Sequence, residues 1–294
     1  MNKKITAITL ATTIMLSGTI TAFADASPGD VYLTLGEDLT IPQKEAVYSN
    51  LKAESDISEN QIIFVTIEEE HKYLGDYIPK TQIGSKALSS SKITVGEKDS
   101  GLLVESDENI NYITEEMYLN ALSTAGVKDV SVEISAPFQV SGTAALTGII
   151  KAYEATSGKQ ISEEQKQIAN EEMITTAKIS EEIGSDNLTD LMNMIKEEIG
   201  KNPPQNDEEL AALIKRLAEE NGINLTDEQI TQLVGLFNKI QNLNIDWEKV
   251  NNTLDSAKEK WNEFSQTEGG QGIIQGFIDF IGSIIDAIGS FFGK

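Results

Sequence analysis

The sequence is poor in the residues that most catalytic and redox sites need. Its 294 residues include no cysteine, one histidine and one arginine. Without cysteine the chain forms no disulfide and carries no lipid on a thiol, so a packed core must hold the fold. Any Ser–His or histidine–metal site would have to use His71. The acids before it, Glu68 to Glu70, are equally typical of a charged helix face.

Basic residues are also scarce. The chain has 23 lysine and arginine residues against 47 aspartate and glutamate residues, a formal net charge of −24. Nucleic-acid recognition needs a basic face and depends heavily on arginine, and Arg216 is the single arginine here. We therefore exclude nucleic acid as a partner. The same charge opposes adsorption to anionic lipids unless divalent cations bridge the two.

No cofactor is predicted. The sequence has no P-loop, dinucleotide fingerprint, paired metal-ligand helix or G-x-S-x-G elbow. Calcium would suit so acidic a chain, and Glu97, Asp99 and Glu108 lie near the ligand positions of an EF-type loop over residues 97–108. Leu102 stands at the sixth position, where that loop requires glycine. No motif therefore supports calcium binding.

The first 24 residues have the three parts of a secretory signal. Lys3 and Lys4 precede an uncharged, largely apolar stretch over residues 5–20, and Ala22 and Ala24 form a small-x-small cleavage site. The stretch is shorter than the ~20 apolar residues of a membrane span, which favours cleavage over an anchor. We predict a mature chain that starts at Asp25 and is secreted, extracellular or associated with the cell envelope.

The N-terminal half alternates between strand and helix signals. Strands are predicted over residues 31–35, 62–67, 92–95, 102–106 and 130–134. The continuous apolar run at 62–67 is typical of a strand that is buried on both faces. Helices are predicted over residues 43–53, 114–126 and 143–153.

Two polar segments of this half are candidate sites. Residues 80–91 are predicted to form a loop, in which Gly84-Ser85-Lys86 and the serines at 89–91 could bind a ligand or supply Ser/Lys nucleophilic chemistry. Ser141-Gly142-Thr143 precedes a helix and could present backbone N–H groups to an anion. An ordinary N-cap made by Ser141 or Thr143 predicts the same sequence.

From residue 160 onward the strand signals end and four or five helices are predicted. Three of these helices begin with a cap residue followed by acids, at Ser162, Asn206 and Thr226. Apolar stripes at helical spacing are formed by Leu210, Leu213, Ile214 and Leu217, by Ile230, Leu233, Val234, Phe237 and Ile240, and by Val250, Leu254, Ala257, Trp261 and Phe264. The predicted fold class is α+β, with a signal peptide (1–24), an N-terminal mixed α/β domain (25–157), an all-helical region (158–268) and a C-terminal amphipathic helix (269–294).

The C-terminal segment carries the most specific pattern. Wound as a helix, its isoleucine and phenylalanine side chains all fall within one arc of about 160°. The residues of this membrane- or partner-contacting face are Ile273, Ile274, Phe277, Ile278, Phe280, Ile281, Ile284, Ile285, Ile288, Phe291 and Phe292. The opposite arc holds small and polar residues.

Two surfaces remain open for this apolar face. A membrane span is excluded because burial of Asp279 and Asp286 would cost ~3 kcal/mol each. An interfacial helix on a membrane has such a face, although this one lacks the usual cationic side. The face could instead dock onto the helical region, another subunit or a protein partner. Burial of each apolar side chain there would contribute ~2 kcal/mol of favourable free energy. Glycines at 276, 282 and 289 favour a helix that forms only against a partner surface.

Two stretches resemble a known family. VTIEEEHKYLGDYIPKTQIGSKALSSS at 65–91 and ITEEMYLNALSTAGVKDVSVEISAPFQVSGTAALTGIIKAYE at 113–154 resemble domain-of-unknown-function family 1002, secreted proteins mostly of low-GC Gram-positive bacteria. The resemblance implies export and supplies no reaction and no catalytic residue. We expect a non-enzymatic, secreted or envelope-associated binding protein whose tail contacts membrane or a partner. The alternative is an extracytoplasmic hydrolase acting on cell-wall or peptide substrates.

Overall fold

The five strands predicted from the sequence join into one mixed sheet. The computed structural model describes residues 26–53 and 57–243. Its strands are β1 (Val31–Gly36), β2 (Ile62–Val65), β3 (Ser90–Val95), β4 (Leu102–Ser106) and β5 (Val130–Ser135). Its helices are α1 (Ile41–Asn50), α2 (Ile67–Leu74), α3 (Lys80–Ile83), α4 (Glu115–Thr124), α5 (Thr143–Ser157), α6 (Glu163–Ile183), α7 (Ser185–Lys201), α8 (Asp207–Glu220) and α9 (Asp227–Asn242). The predicted α+β class is confirmed.

The strand order is β2-β1-β3-β5-β4, with a parallel pair at each edge. β1 pairs with β2 and β5 pairs with β4 in parallel, while the central β3 is antiparallel to both β1 and β5. Parallel neighbours need a crossover connection. The chain supplies one for each pair, since α1 lies between β1 and β2 in sequence and α4 lies between β4 and β5.

The two faces of the sheet differ in chemistry. Ile93 and Val132 are aligned on one face and belong to the main core, which α4 and α5 close. On the other face, Leu33 packs under α1, whereas its cross-strand neighbour Lys92 forms an ion pair with Glu133, with 2.6 Å between Nζ and Oε1. This second face is therefore apolar beneath α1 and polar beyond it.

The prediction that the strand at 62–67 is buried on both faces is wrong. β2 is an edge strand, and the side chain of Phe64 is 44 % exposed. The Lys44 ammonium lies 5.1 Å from the Phe64 ring centroid, a cation–π distance. A continuous apolar run reports local hydrophobicity alone, so it does not distinguish a central strand from an edge strand that borders a helix.

The helices after residue 160 form a second core. The predicted caps are confirmed, because the side chains of Ser162, Asn206 and Thr226 each accept a hydrogen bond from the backbone N–H three residues on. The two predicted stripes on α8 and α9 point into this core, where Leu210, Ile214, Leu217, Leu233, Phe237 and Ile240 are all buried. The third stripe, at residues 250–264, lies outside the described residues.

Helix α6 belongs to both cores. Met173 packs in the cluster that covers the sheet, and Ile179 packs in the cluster of α7 to α9. The predicted boundary after residue 157 precedes this shared helix, and the division into domains stays a prediction. Among the helices that the structure describes, none has the length and apolarity of a membrane span. The predicted signal peptide and C-terminal amphipathic helix lie outside the described residues.

Candidate functional site

Three consecutive glutamates at the start of α2 occupy three different environments. Thr66 caps the helix and Glu69 completes the capping box, while Glu69 also pairs with Lys151 at 2.7 Å. Glu68 is exposed. Glu70 turns into the protein and keeps only 2 % of its surface exposed. The interpretation of this run as one charged helix face is therefore wrong for Glu70, because successive helical residues point ~100° apart.

The Glu70 carboxyl is only half satisfied. The Thr143 hydroxyl donates a hydrogen bond to Glu70 Oε1, and Oε2 has no hydrogen-bond partner among the described residues. Burial raises the pKa of Glu70 to about 7; the hydrogen bond from Thr143 lowers it and the nearby charge of Asp38 raises it. Buried polar atoms without a partner are uncommon in folded proteins. Glu70 thus exchanges a proton near neutral pH and keeps one oxygen free to accept a hydrogen bond.

The N-terminus of α5 lies beside this carboxyl. Gly142 is its N-cap at φ 91°, and no side chain caps the helix. The predicted cap by Ser141 or Thr143 is wrong, because their hydroxyls lie 3.1 Å from each other and Thr143 turns to Glu70. Tyr118 Oη donates to the Gly142 carbonyl at 2.6 Å and fixes the turn. The Ala145 N–H donates to the Gly142 carbonyl at 3.1 Å, whereas the Thr143 and Ala144 N–H groups have no acceptor among the described residues, which suits an anion.

The segment predicted as a loop over residues 80–91 is only partly a loop. Residues Lys80–Ile83 form the single turn of α3, and β3 already begins at Ser90. Ser90 and Ser91 are fully buried, and Ser91 Oγ lies 2.6 Å from Thr34 Oγ1 across the neighbouring strand. These two serines support the sheet and are not part of a ligand site. Residues 84–89 are the true loop.

His71 positions this loop. Its Nε2 lies 3.0 Å from the carbonyl oxygen of Gly84, and Asp38 accepts a hydrogen bond from the Ala87 N–H at 2.8 Å. Both contacts anchor the loop backbone, while Ser85 and Lys86 remain exposed. The single histidine thus has a supporting role in the described structure, and it does not line the cleft described next.

The loop and the start of α5 enclose a cleft of about 300 Å³. The residues that line it are Glu70, Gln82, Ile83, Gly84, Ser85, Lys86, Leu88, Ser89, Val140, Ser141, Gly142, Thr143 and Ala144. The two polar segments selected from the sequence, around Lys86 and around Thr143, therefore form one site. Sequence reasoning missed Glu70. The available signal was the capping box at Thr66, which fixes the start of α2. Within a helix that starts there, Glu70 points in a different direction from its acidic neighbours.

A second cleft, of about 320 Å³, lies on the polar part of the other sheet face. It is lined by acids, among them Glu105 and Glu115, and by Lys52. Burial raises the pKa of Glu115 to about 7, and hydrogen bonds from Ser106 oppose the shift. Within residues 26–53 and 57–243, no three histidine, cysteine or acidic side chains are grouped so that they could hold a metal ion. Residues 97–108 accordingly form no such group.

Comparison with known proteins identifies a family and a relative that each match most of the chain. The family model "Protein of unknown function (DUF1002)" matches residues 35–257. The uncharacterized protein YpuA of Bacillus subtilis (strain 168) is 48 % identical over 272 residues, which cover 92 % of this chain and 92 % of the relative. No solved structure matches the chain. These matches confirm the resemblance drawn from residues 65–91 and 113–154.

Proposed function

This chain belongs to DUF1002, a family of proteins of unknown function, and from that premise we propose that it is an exported binding protein. Its ligand site is the cleft between residues 84–89 and the N-terminus of α5. The observation that carries the proposal is the buried Glu70 carboxyl at this cleft, one oxygen of which has no hydrogen-bond partner among residues 26–53 and 57–243. An unmade hydrogen bond at a buried polar atom costs about 1–3 kcal/mol. A ligand that donates to this oxygen recovers that free energy.

The surroundings of Glu70 support a site that is built before the ligand arrives. Tyr118 fixes Gly142, and His71 and Asp38 fix the opposite loop. Small-molecule sites are commonly preformed clefts of 300–1,000 Å³ with a few polar groups in an apolar wall. The cleft has the volume of the smaller members of this class. We therefore expect it to select a small polar ligand with little change of the backbone.

Export is part of the proposal and rests on the N-terminal sequence. The charged start, the apolar stretch over residues 5–20 and the Ala22-Phe23-Ala24 site support cleavage before Asp25. The test is N-terminal sequencing of the chain recovered from medium and envelope fractions of a Gram-positive host. We expect the sequence to begin at Asp25, and Ala24→Arg should leave the precursor uncleaved. An uncleaved wild-type chain in the cytoplasm would contradict export.

The C-terminal segment adds a contact surface to this proposal. Its apolar arc, from Ile273 to Phe292, would contact either a membrane surface or a protein partner. The net charge of −24 favours protein docking or a neutral bilayer over an anionic one.

Binding at the cleft is tested with a probe panel on the full chain. Backbone amide NMR would follow residues 84–89 and 141–144 while alanine, alanylalanine, propionate, phosphate, glucose and N-acetylglucosamine are added separately. We expect at least one probe to shift these amides in wild type and not in Glu70→Gln. Glu68→Gln is the matched control, because Glu68 is exposed on the same helix. A panel in which no probe shifts the cleft amides contradicts the proposed function.

A hydrolase is the second candidate, and one observation favours it. A carboxyl whose pKa is raised to about 7 is suited to general acid–base catalysis at neutral pH. The hydroxyls of Thr143 and Ser141 form a chain that begins at the Glu70 carboxyl, and all three residues line the cleft. The distinguishing measurement is turnover of muropeptides and short peptides by wild type and Glu70→Gln. Turnover that is lost in Glu70→Gln would replace the binding proposal with the hydrolase.

A further inference from the structure

The start of α5, which lines the cleft, favours a negative group. The first N–H groups of α5, a helix of 15 residues, carry no side-chain cap, and the helix dipole adds partial positive charge there. Lys86 stands exposed on the opposite wall of the same cleft. Backbone N–H groups at a helix N-terminus and a lysine are a recurrent pair for binding carboxylate or phosphate.

The Glu70 carboxyl lies beside this helix start, where the Thr143 hydroxyl donates to it, and it has the opposite preference. Its Oε2 lacks a partner in the described structure while its Oε1 is held by Thr143. An ionised carboxylate in this position favours a cation that also donates hydrogen bonds, and an ammonium group does both.

Resting on the proposed function, we infer that the ligand is a small zwitterion, a free amino acid or a dipeptide. Its carboxylate lies at the N-terminus of α5 near Lys86, and its ammonium donates to Glu70. Ile83, Leu88 and Val140 provide an apolar wall for a small side chain. No nucleotide, sugar or metal contact is needed for this assignment.

Ligands with only one of the two charges fit less well. A simple carboxylate brings a second negative charge next to Glu70, which opposes binding whenever Glu70 is ionised. A simple amine meets the dipole of α5 and the charge of Lys86. A sugar ring or nucleobase finds no stacking surface, because no aromatic side chain is among the residues that line the cleft. A zwitterion, whose two charged groups are close together, satisfies the helix start and the Glu70 carboxyl at once.

The test compares ligands of matched shape by titration calorimetry on the full chain. Alanine carries both charges, propionate lacks the ammonium, ethylamine lacks the carboxylate, and alanylalanine separates the charges by one more residue. We expect alanine or alanylalanine to bind about tenfold or more tightly than either singly charged analogue. Whichever of the two zwitterions binds more tightly identifies the source as an amino acid or a dipeptide.

Two substitutions test the two charge contacts separately. Glu70→Gln should remove the advantage of alanine over propionate, and Lys86→Met should weaken alanine and propionate but not ethylamine. Glu68→Gln should bind as wild type does, and unchanged far-ultraviolet circular dichroism would show that each variant is folded.

The outcomes separate this inference from the proposed function. Equal affinity for alanine and propionate, or for alanine and ethylamine, overturns the zwitterion. If a sugar or phosphate shifts the cleft amides and neither alanine nor alanylalanine does, the inference of a zwitterionic ligand is overturned. The proposed binding site then still stands. Failure of every probe overturns both.

Discussion

Lys196 of α7 and Glu172 of α6 form an ion pair that is completely removed from solvent, with 2.5 Å between Nζ and Oε1. Helix α4 completes the group, since Thr124 donates to Glu172 Oε2 at 2.6 Å and the Asn120 carbonyl accepts from Lys196 at 3.0 Å. Burial lowers the pKa of Lys196, and the Glu172 charge opposes that shift. Helix α4 covers the sheet, α7 belongs to the second core, and α6 belongs to both. The buried pair therefore links the two cores.

Removal of one partner of this pair should be much more harmful than removal of both. Lys196→Met or Glu172→Leu alone leaves one buried charge unpaired, and we expect a loss of about 3–5 kcal/mol in the free energy of unfolding. The double variant should recover most of that loss, because two apolar side chains replace two desolvated charges. Urea denaturation of the four chains gives the coupling energy directly.

Lys201 is the control on the same helix. It pairs with Glu197 at 2.5 Å, but both side chains are more than half exposed. Lys201→Met should change stability by less than about 0.5 kcal/mol. Additive single effects for Lys196 and Glu172 would show that the buried pair does not act as a unit.

Two helical glycines should respond to alanine in opposite directions. At Gly148 in α5 an added Cβ would lie 2.7 Å from Thr34 Oγ1 and 2.9 Å from Val65 Cγ2, so the helix would have to move off the sheet. At Gly235 in α9 it would meet no atom of the described residues within 4 Å. We expect Gly148→Ala to destabilise by about 1–3 kcal/mol and Gly235→Ala to stabilise by about 0.5–1 kcal/mol. Thermal unfolding of both variants measures this, and a neutral Gly148→Ala would contradict the close packing.

Burial raises the pKa of Glu70 and Glu115 to about 7 and also raises the pKa of Glu105, so stability should fall as pH rises. Glu70 and Glu115 bind protons in the folded state up to about pH 7 but only up to about 4.5 when unfolded. Their favourable contribution is complete below pH 4.5 and is lost as pH rises through 7. Each contributes a fall of up to about 3 kcal/mol across this window. Glu163, whose pKa is lowered to about 2 chiefly by the Lys72 hydrogen bond, titrates below the window.

The measurement is urea denaturation at intervals from pH 5 to pH 8. Glu70→Gln and Glu115→Gln should each flatten the profile, and the double variant should flatten it more than either single variant. Glu68→Gln should leave it unchanged, since Glu68 is exposed. A Glu70→Gln profile parallel to that of wild type would show that Glu70 does not retain its proton in the folded state.

The C-terminal segment is tested by co-sedimentation with liposomes. The full chain is compared with a chain that ends at Glu268, over lipid mixtures from neutral to anionic, with and without calcium. If the apolar arc inserts at a bilayer, only the full chain pellets, and calcium should increase binding to anionic lipid. If neither chain pellets, the segment docks on protein. Equal pelleting of both chains would place lipid binding elsewhere and contradict the prediction.

The local elements were predictable because their signals are local. The caps at Ser162, Asn206 and Thr226 and the stripes on α8 and α9 depend on residues within one or two turns, and all are confirmed. The strand positions followed from short runs of β-branched residues. Prediction failed where a neighbour far along the chain decides the outcome, as at the edge strand β2 and at the uncapped start of α5.

The sequence by itself determined the class of fold, the positions of most helices and strands, and the acidic, cysteine-free composition. Hydrophobic periodicity and helix capping depend on residues that are close together in the chain, and composition requires no structure at all. Only the tertiary structure decided that Glu70 is buried while Glu68 is exposed, and that residues 84–89 meet the start of α5 at one cleft. The reason is that burial and proximity depend on how α2 packs against α3 and α5, and on how α5 packs against the sheet. No periodicity within any one of these segments encodes that arrangement.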